Sequence, residues 1–411
     1  MPKPKGANFL QKYKNRVCDG SGDPRNDPDE NRDKSTLHRL LAPRASAESA
    51  GLHYVGDEER GFARASVRGH VQFLTSDGEI LQDEQHLSRI RALVIPPAWK
   101  DVWICPKENG HLQATGRDER VRKQYLYHSR WREVRESVKY GHLLEFLEAL
   151  PQIRRRVAKD MKHRGFDKKK VLATVVRLLE LTLIRVGNEH YARENHSFGL
   201  STLRNRHVHV SGVSVRFQFR GKSGKRHSIR ITDQRIARTL SRLQDLPGQK
   251  LFQFEDVSGV WHAVESGDVN DYLREITGRD FTAKDFRTWA GTMLAMMALQ
   301  TAPPFTSEAQ AKRNITRAVE HAAAQLGNTP AICRKCYVHP EVFACYLNGS
   351  MPLFHEIRKP RKSVFLREFS PEERFVRNFL RRQDTLRVHG TRTAVQRYRL
   401  FEKRRNGSAV P

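Results

Sequence analysis

Long apolar runs are missing from this 411-residue chain. The richest stretch, Val171 to Ile184, is interrupted by Arg177 and Glu180, well short of the roughly 20 apolar residues that a bilayer-spanning helix needs. No membrane partner is expected. Cysteine is scarce too, with residues only at Cys18, Cys105, Cys333, Cys336 and Cys345. The opening Met1-Pro-Lys-Pro-Lys-Gly leads into polar sequence without the apolar core of a secretory leader. Together these argue for reduced thiols and a cytoplasmic location rather than a disulfide-stapled scaffold. Cys333 and Cys336 form a C-x-x-C that His339 and Cys345 follow, yet all four crowd into one short stretch and no second C-x-x-C exists. Structural zinc sites usually pair two such turns across a wide gap. No metal site and no cofactor is expected, and incidental small residues on a helix is the preferred reading. Acidic residues are also in deficit, 46 against 74 Lys+Arg, for a net charge of +28. A surplus of that size attracts polyanions, nucleic acid first. Charge sign alone separates neither DNA from RNA nor binding from chemistry.

Composition and periodicity divide the chain into four. Residues 1–48 are rich in Pro, Gly, Asp, Asn, Arg and Lys with little apolar pattern, and read as a basic, polar, disordered extension. Residues 49–132 carry alternation in Ala65-Ser-Val-Arg-Gly-His-Val-Gln-Phe73, a turn at Asp77-Gly78, a short run Val102-Trp-Ile-Cys105 and another strand at Gln124-Tyr-Leu-Tyr127. They predict a small β-rich domain with one or two helices. Residues 133–349 turn helical, with Leu143, Leu144, Leu147 and Leu150, then Val171, Leu172, Val175, Val176, Leu179 and Leu183 at three-to-four spacing. Alternation returns once, in Val213, Val215, Phe217 and Phe219, then Gly221-Lys-Ser-Gly-Lys225, then His227, Ile229 and Ile231. That is a hairpin with a basic tip. The tail, 350–411, holds 16 Lys+Arg against 6 Asp+Glu, and Ser370-Pro-Glu-Glu373 is a capping box with Pro at the first helical position. The fold class expected is α+β.

Four features carry chemistry. Arg185 lies in Leu183-Ile-Arg-Val-Gly-Asn-Glu-His-Tyr191, Lys222 at the hairpin tip, Arg287 in Lys284-Asp-Phe-Arg-Thr-Trp289, and Tyr337 in Leu326-Gly-Asn-Thr-Pro-Ala-Ile-Cys-Arg-Lys-Cys-Tyr337. Each alone has an ordinary explanation: an arginine pairing with a carboxylate, a solvated lysine, a core tyrosine. In this order, and with their flanking words, they resemble the type IB DNA topoisomerases of the poxvirus and bacterial kind over about residues 50–349. The matching words are Ile184-Arg-Val-Gly187, Asn195, Gly199-Leu-Ser-Thr-Leu203, the Phe-x-Gly before Lys222, Lys284-Asp-Phe-Arg-Thr288 and Gly327-Asn-Thr-Pro330. Gly116-Arg-Asp-Glu-Arg-Val-Arg-Lys-Gln-Tyr125-Leu-Tyr127 is similar to the family's DNA-contacting strand.

The resemblance implies a helical catalytic domain like that of the tyrosine recombinases and relaxation of supercoiled duplex DNA. It implies Tyr337 as nucleophile, Arg185 and Arg287 as a phosphate clamp and Lys222 as general acid, with Lys225 a weaker candidate. A phenol attacking a phosphodiester exchanges one ester for another, through a 3′-phosphotyrosyl intermediate, so the break reverses without ATP. Tyrosine is only about 0.1% ionised at pH 7, and the transition state gains charge on oxygens that two forked guanidiniums can grip. One departure stands out: the viral enzymes carry His where this chain has Asn328. An amide neither gives nor takes protons but donates a hydrogen bond, so Asn328 is expected to stabilise a phosphate oxygen. The resemblance further implies a monomer that clamps duplex DNA with little sequence choice in the nucleoid. Tyr125, Tyr127, Arg117, Arg120, Arg122, Lys123, Asn195 and Thr202 would contact DNA.

Two other readings stay open at this point. A tyrosine site-specific recombinase shares the Arg, Lys, Arg, Tyr set, but typically has His where this chain has Lys284. A non-catalytic basic DNA-binding protein with a degenerate site draws its support from Asn328 alone.

Overall fold

The computed structural model describes residues 43–67, 70–119, 121–354 and 369–388. The expected disorder of the extension therefore falls, for residues 1–42, outside the described residues, as do 355–368 and 389–411 of the tail. Residues Pro43–Ser49 form a helix. The chain is mixed α and β, with a β-rich amino-terminal part and a helical remainder, and separates into two compact units that divide between His142 and Leu143. That division lies inside the long helix Ser129–Asp160, ten residues beyond the expected boundary at 132. The helix starts near that boundary, but its first four turns belong to the β-rich unit.

The β-rich unit is built on strands β1 (Phe62–Val67), β2 (His70–Leu74), β3 (Lys100–Ile104), β4 (Leu112–Arg117) and β5 (Lys123–Tyr127) in the order β2-β1-β3-β4-β5. Every neighbouring pair is antiparallel. Period-two alternation puts Phe62, Val102, Ile104 and Ala114 on the face that packs against Leu81 and Ile90. β4 is buried on both faces except at its end, so its polar residues need partners. Gln113 accepts from Arg89 at 2.8 Å and donates to the Gly110 carbonyl at 2.7 Å, while Thr115 donates to Asp57 at 2.9 Å. Those bonds set the position from which β4 turns into β5.

In the second unit the helix Lys168–Thr182 is the central element. Ten of its residues are buried, which accounts for its nearly continuous apolar sequence. Asp167 caps its start by accepting from the Lys170 amide at 2.8 Å, and Leu183 ends it in the left-handed region at φ 55°. Phe146, Phe281 and Phe286 pack edge to face at 5.5 and 5.0 Å. Strands β6 (Val208–Ser211), β7 (Ser214–Arg220) and β8 (Arg226–Thr232) form a three-stranded antiparallel sheet. It contains the expected hairpin plus one strand, β6, that the alternation did not reveal. Val215, Phe217 and Phe219 point inward.

The carboxy-terminal helix Pro371–Val388 packs on this unit. Ser370 and Glu373 cap it reciprocally, at 2.8 and 3.2 Å. Val376, Phe379 and Leu380 are buried. Arg154 bridges Glu180 at 2.6 Å and Glu373 at 2.5 Å, joining three helices. Removing one carboxylate from so buried a set costs on the order of 3–5 kcal/mol, so this part of the tail is structural. Among the described residues, no helix is long and apolar enough to cross a membrane.

Candidate active site

Arg185 stands just past the end of the Lys168–Thr182 helix, in a loop held by a second loop. The Leu200 amide donates to the Arg185 carbonyl at 2.9 Å and the Ser201 amide to the Val186 carbonyl at 2.6 Å. The loops approach so closely that a Cβ on Gly199 would lie 2.5 Å from the Gly187 backbone, and Gly187 itself adopts φ +101°. Only glycine meets both demands, which explains the Ile-Arg-x-Gly and Gly-Leu-Ser-Thr words as one folded object. Thr202 belongs to that object. It is buried, and its hydroxyl accepts from the Gly199 amide at 2.9 Å and lies 3.0 Å from the Gly199 carbonyl. Its side chain thus holds the turn and is buried beneath it. Asn195 ends the helix Glu189–Asn195 and is exposed.

Arg287 lies in the first turns of the helix Ala283–Gln300, which Thr282 and Asp285 cap. Its guanidinium is 3% exposed and donates to the carbonyls of Leu183 and, at 2.7 Å, Leu326. These are the ends of two other helices, so Arg287 ties the Arg185 loop to the Gly327-Asn-Thr-Pro turn. Burial and the neighbouring Arg185 hold its pKa below the usual guanidinium range, and the Tyr337 hydroxyl draws it back. It remains a cation.

Tyr337 is the last residue of the helix Pro330–Tyr337. Its ring lies 5.1 Å from the Arg287 guanidinium. Its carbonyl accepts from Thr292 at 3.2 Å, and Thr292 in turn accepts from the His339 amide at 3.1 Å. Opposite, a Cβ on Gly291 would come within 2.7 Å of that carbonyl. The tyrosine backbone is therefore fixed from two sides while the ring is half-buried.

Asn328 is 9% exposed and accepts, through Oδ1, from Arg185. An arginine can only donate, so the amide oxygen must face it and Nδ2 must be the free end. Among the described residues, Asn328 Nδ2 and Arg287 Nε are both buried donors without an acceptor. Such groups are rare and costly, of the order of 1–3 kcal/mol each. Lys222 sits at the β7–β8 tip, exposed, in a short turn closed by the Gly221 amide donating to the Lys225 carbonyl at 2.7 Å. Arg185, Lys222 and Arg287 line one small cavity, and His227 joins them there. Sequence reasoning placed His227 only as a strand residue. Its signal was a polar ring at an inward position of the alternating set His227, Ile229, Ile231. A roomier cavity of about 600 Å³, bordered by Arg154, Lys170, Glu180 and Arg242, shares no residue with this cluster.

Burial pushes the Cys333 thiol up to about 11. It is therefore a thiol rather than a thiolate at neutral pH.

In the β-rich unit, Tyr125 and Tyr127 project from the same face of β5 and stack at 6.0 Å, 6° from parallel. Tyr125 is 48% exposed, whereas Tyr127 packs on buried residues including Trp131 and Leu112. The expected phosphate contacts already have partners. Arg117 lies 3.6 Å from Asp101, Arg122 2.6 Å from Asp118, and Lys123 2.6 Å from Asp57. Arg120 falls outside the described residues.

Comparison with known proteins gives the family. Residues 128–360 match the family model of the eukaryotic DNA topoisomerase I catalytic core, and residues 70–118 match the bacterial DNA topoisomerase IB amino-terminal domain. The chain is 33% identical over 270 residues to DNA topoisomerase 1B of Acanthamoeba polyphaga mimivirus, covering 64% of this chain and 80% of that protein. It is 24% identical over 225 residues to DNA topoisomerase 1B of Vaccinia virus (strain Copenhagen), covering 54% and 68%. With DNA topoisomerase 1 of Rabbit fibroma virus (strain Kasza) it shares 22% over 312 residues, covering 72% and 95%. The chain belongs to the type IB DNA topoisomerases.

Proposed function

We propose that the protein relaxes supercoiled duplex DNA by transient cleavage and religation of one strand, using a catalytic domain of the tyrosine recombinase type. Tyr337 attacks the scissile phosphate, its Oη–P bond forming as the bond to the 5′-oxygen breaks, and the phosphate stays on Tyr337 as a 3′-phosphotyrosyl ester. Lys222 gives a proton to the departing 5′-oxygen. Arg185 and Arg287 neutralise the charge that develops on the non-bridging oxygens. Religation is the same step reversed, and because one ester replaces another it draws on no ATP; in the proposed step the charge on the phosphate is met by guanidiniums, and no metal ion takes part.

The observation that carries this reading is the pair of buried donors without acceptors, Asn328 Nδ2 and Arg287 Nε, in the cluster that holds Tyr337. A DNA phosphate, which carries acceptor oxygens only, is a ligand that both can donate to. Asn328 then acts through its N–H, and Asn328→Ala is expected to slow single-turnover cleavage about 10²-fold, while Asn328→His retains most of the rate. A folded but inactive His variant would refute the donor role.

The protein works as a monomer in the cytoplasm, on the nucleoid, and binds duplex largely without sequence choice. Arg117, Arg122, Lys123, Tyr125 and Asn195 would contribute contacts that position the duplex rather than read it. Supercoiled plasmid without any recombination site is the deciding substrate. Purified protein in EDTA, without ATP, should convert it to a relaxed ladder. Failure on plain plasmid, with activity on paired specific sites, would select the recombinase reading instead.

A further inference from the structure

The ring of His227 occupies a place in the cluster that the roles above leave unused. It sits on β8 opposite Phe219 of β7, the rings stacked at 4.9 Å and 14°. Two glycines meet its edges. A Cβ on Gly221 would lie 2.7 Å from Cδ2 and Nε2, and a Cβ on Gly327 would lie 2.5 Å from Cε1. Gly221 immediately precedes Lys222, and Gly327 immediately precedes Asn328. One imidazole thus touches the backbone before the proposed acid and the backbone before the proposed phosphate donor. Among the described residues no hydrogen bond engages its ring nitrogens, and the charged groups facing it are Arg185, Lys225 and Arg287. Burial first, then those three cations, hold its pKa below the ordinary histidine value. The ring is therefore neutral at pH 7 and packs as an aromatic body among cations.

We infer that His227 is a positioning residue for strand cleavage, an aromatic wedge that sets the distance between the Lys222 tip and the Gly327–Asn328 turn. The inference rests on the transesterification proposed above. Lys222 is exposed at the end of a hairpin, next to Ser223 in the left-handed region at φ 60°, so its reach depends on what the tip leans against. A misplacement of about 1 Å between reacting groups can cost about 10²-fold in rate. Glycine at 221 and 327 is what allows the ring to seat this deeply.

The test is single-turnover cleavage of a suicide duplex by the full chain at saturating protein, with duplex affinity measured separately. His227→Ala should lower the cleavage rate about 10- to 100-fold while affinity stays within about threefold. His227→Phe, which refills the wedge, should recover most of the loss, and His227→Gln, polar but not aromatic, should not. Gly221 has an ordinary φ of −99°, and the only contact its new Cβ would tighten is with the His227 ring. Gly221→Ala should therefore slow cleavage strongly when His227 is present and little when it is Ala. The inference falls if His227→Ala cleaves at the wild-type rate, if Gln rescues as well as Phe, or if Gly221→Ala costs the same in both backgrounds. Should His227→Ala not fold, the Phe and Gln comparison decides alone. If wild-type protein itself forms no adduct, the proposed chemistry has failed and not the wedge.

Discussion

Tyr337→Phe should form no covalent adduct with a suicide duplex, a loss of more than about 10⁴-fold against wild type. The substitution removes one oxygen, with its interaction with Arg287, and leaves the other contacts that hold the residue. The Thr292 bond is to the Tyr337 backbone carbonyl, the Gly291 approach is to its backbone and Cβ, and the Arg287 guanidinium sits over the ring itself. Folding and duplex affinity are therefore expected to survive, with thermal stability within about 1 kcal/mol of wild type, the size of one hydrogen bond. That separation makes the variant decisive. An adduct that persisted in Tyr337→Phe would move the nucleophile elsewhere and end the present assignment. Loss of adduct together with loss of the folded state would say nothing about nucleophilicity, so melting curves belong in the same experiment.

The second large effect is expected at Arg287, and it has two parts. Arg287→Ala removes a charged donor set from the phosphate, which costs about 10²–10³-fold in cleavage. It also strands the carbonyls of Leu183 and Leu326, at about 1–3 kcal/mol each. Arg287→Lys should restore little of either. An ammonium is a single point charge and cannot span two helix ends while facing a phosphate. Melting temperature and single-turnover rate should therefore fall together in both variants, unlike in Tyr337→Phe, where only the rate falls. A lysine variant with near-wild-type cleavage would show that charge alone suffices and that the forked geometry is idle.

The four words that carry the family resemblance were readable because each is local. Ile-Arg-x-Gly, Gly-Lys at a hairpin tip, Lys-Asp-x-Arg-Thr and Gly-Asn-Thr-Pro each compress a turn or a cap and a polar side chain into a few residues. The broad division into β-rich and helical parts was readable for a similar reason, since periods of 2 and 3.6 are local properties. What escaped was pairing across the chain. Nothing in the sequence near Gly291 announces that Tyr337 needs its missing side chain, and nothing near Gly199 announces Gly187. Strand β6 is only four residues, too short for alternation to register. Nor does the sequence announce that the Thr202 hydroxyl is engaged by the Gly199 turn that holds the Arg185 loop. His227 was hidden by being in step with its strand.

The ion pairs on the DNA-facing candidates alter what the net charge of +28 means for binding. Arg117, Arg122 and Lys123 each hold a carboxylate of their own chain. A phosphate reaching one of them must exchange with that carboxylate rather than meet a bare cation. Such exposed pairs are worth at most about 1 kcal/mol, so the exchange is easy. Each swap frees a tethered anion, however, and the total number of ionic contacts hardly changes. Affinity measured against salt should then fall less steeply than a count of basic residues implies, because the protein has already internalised part of its own counterion cloud.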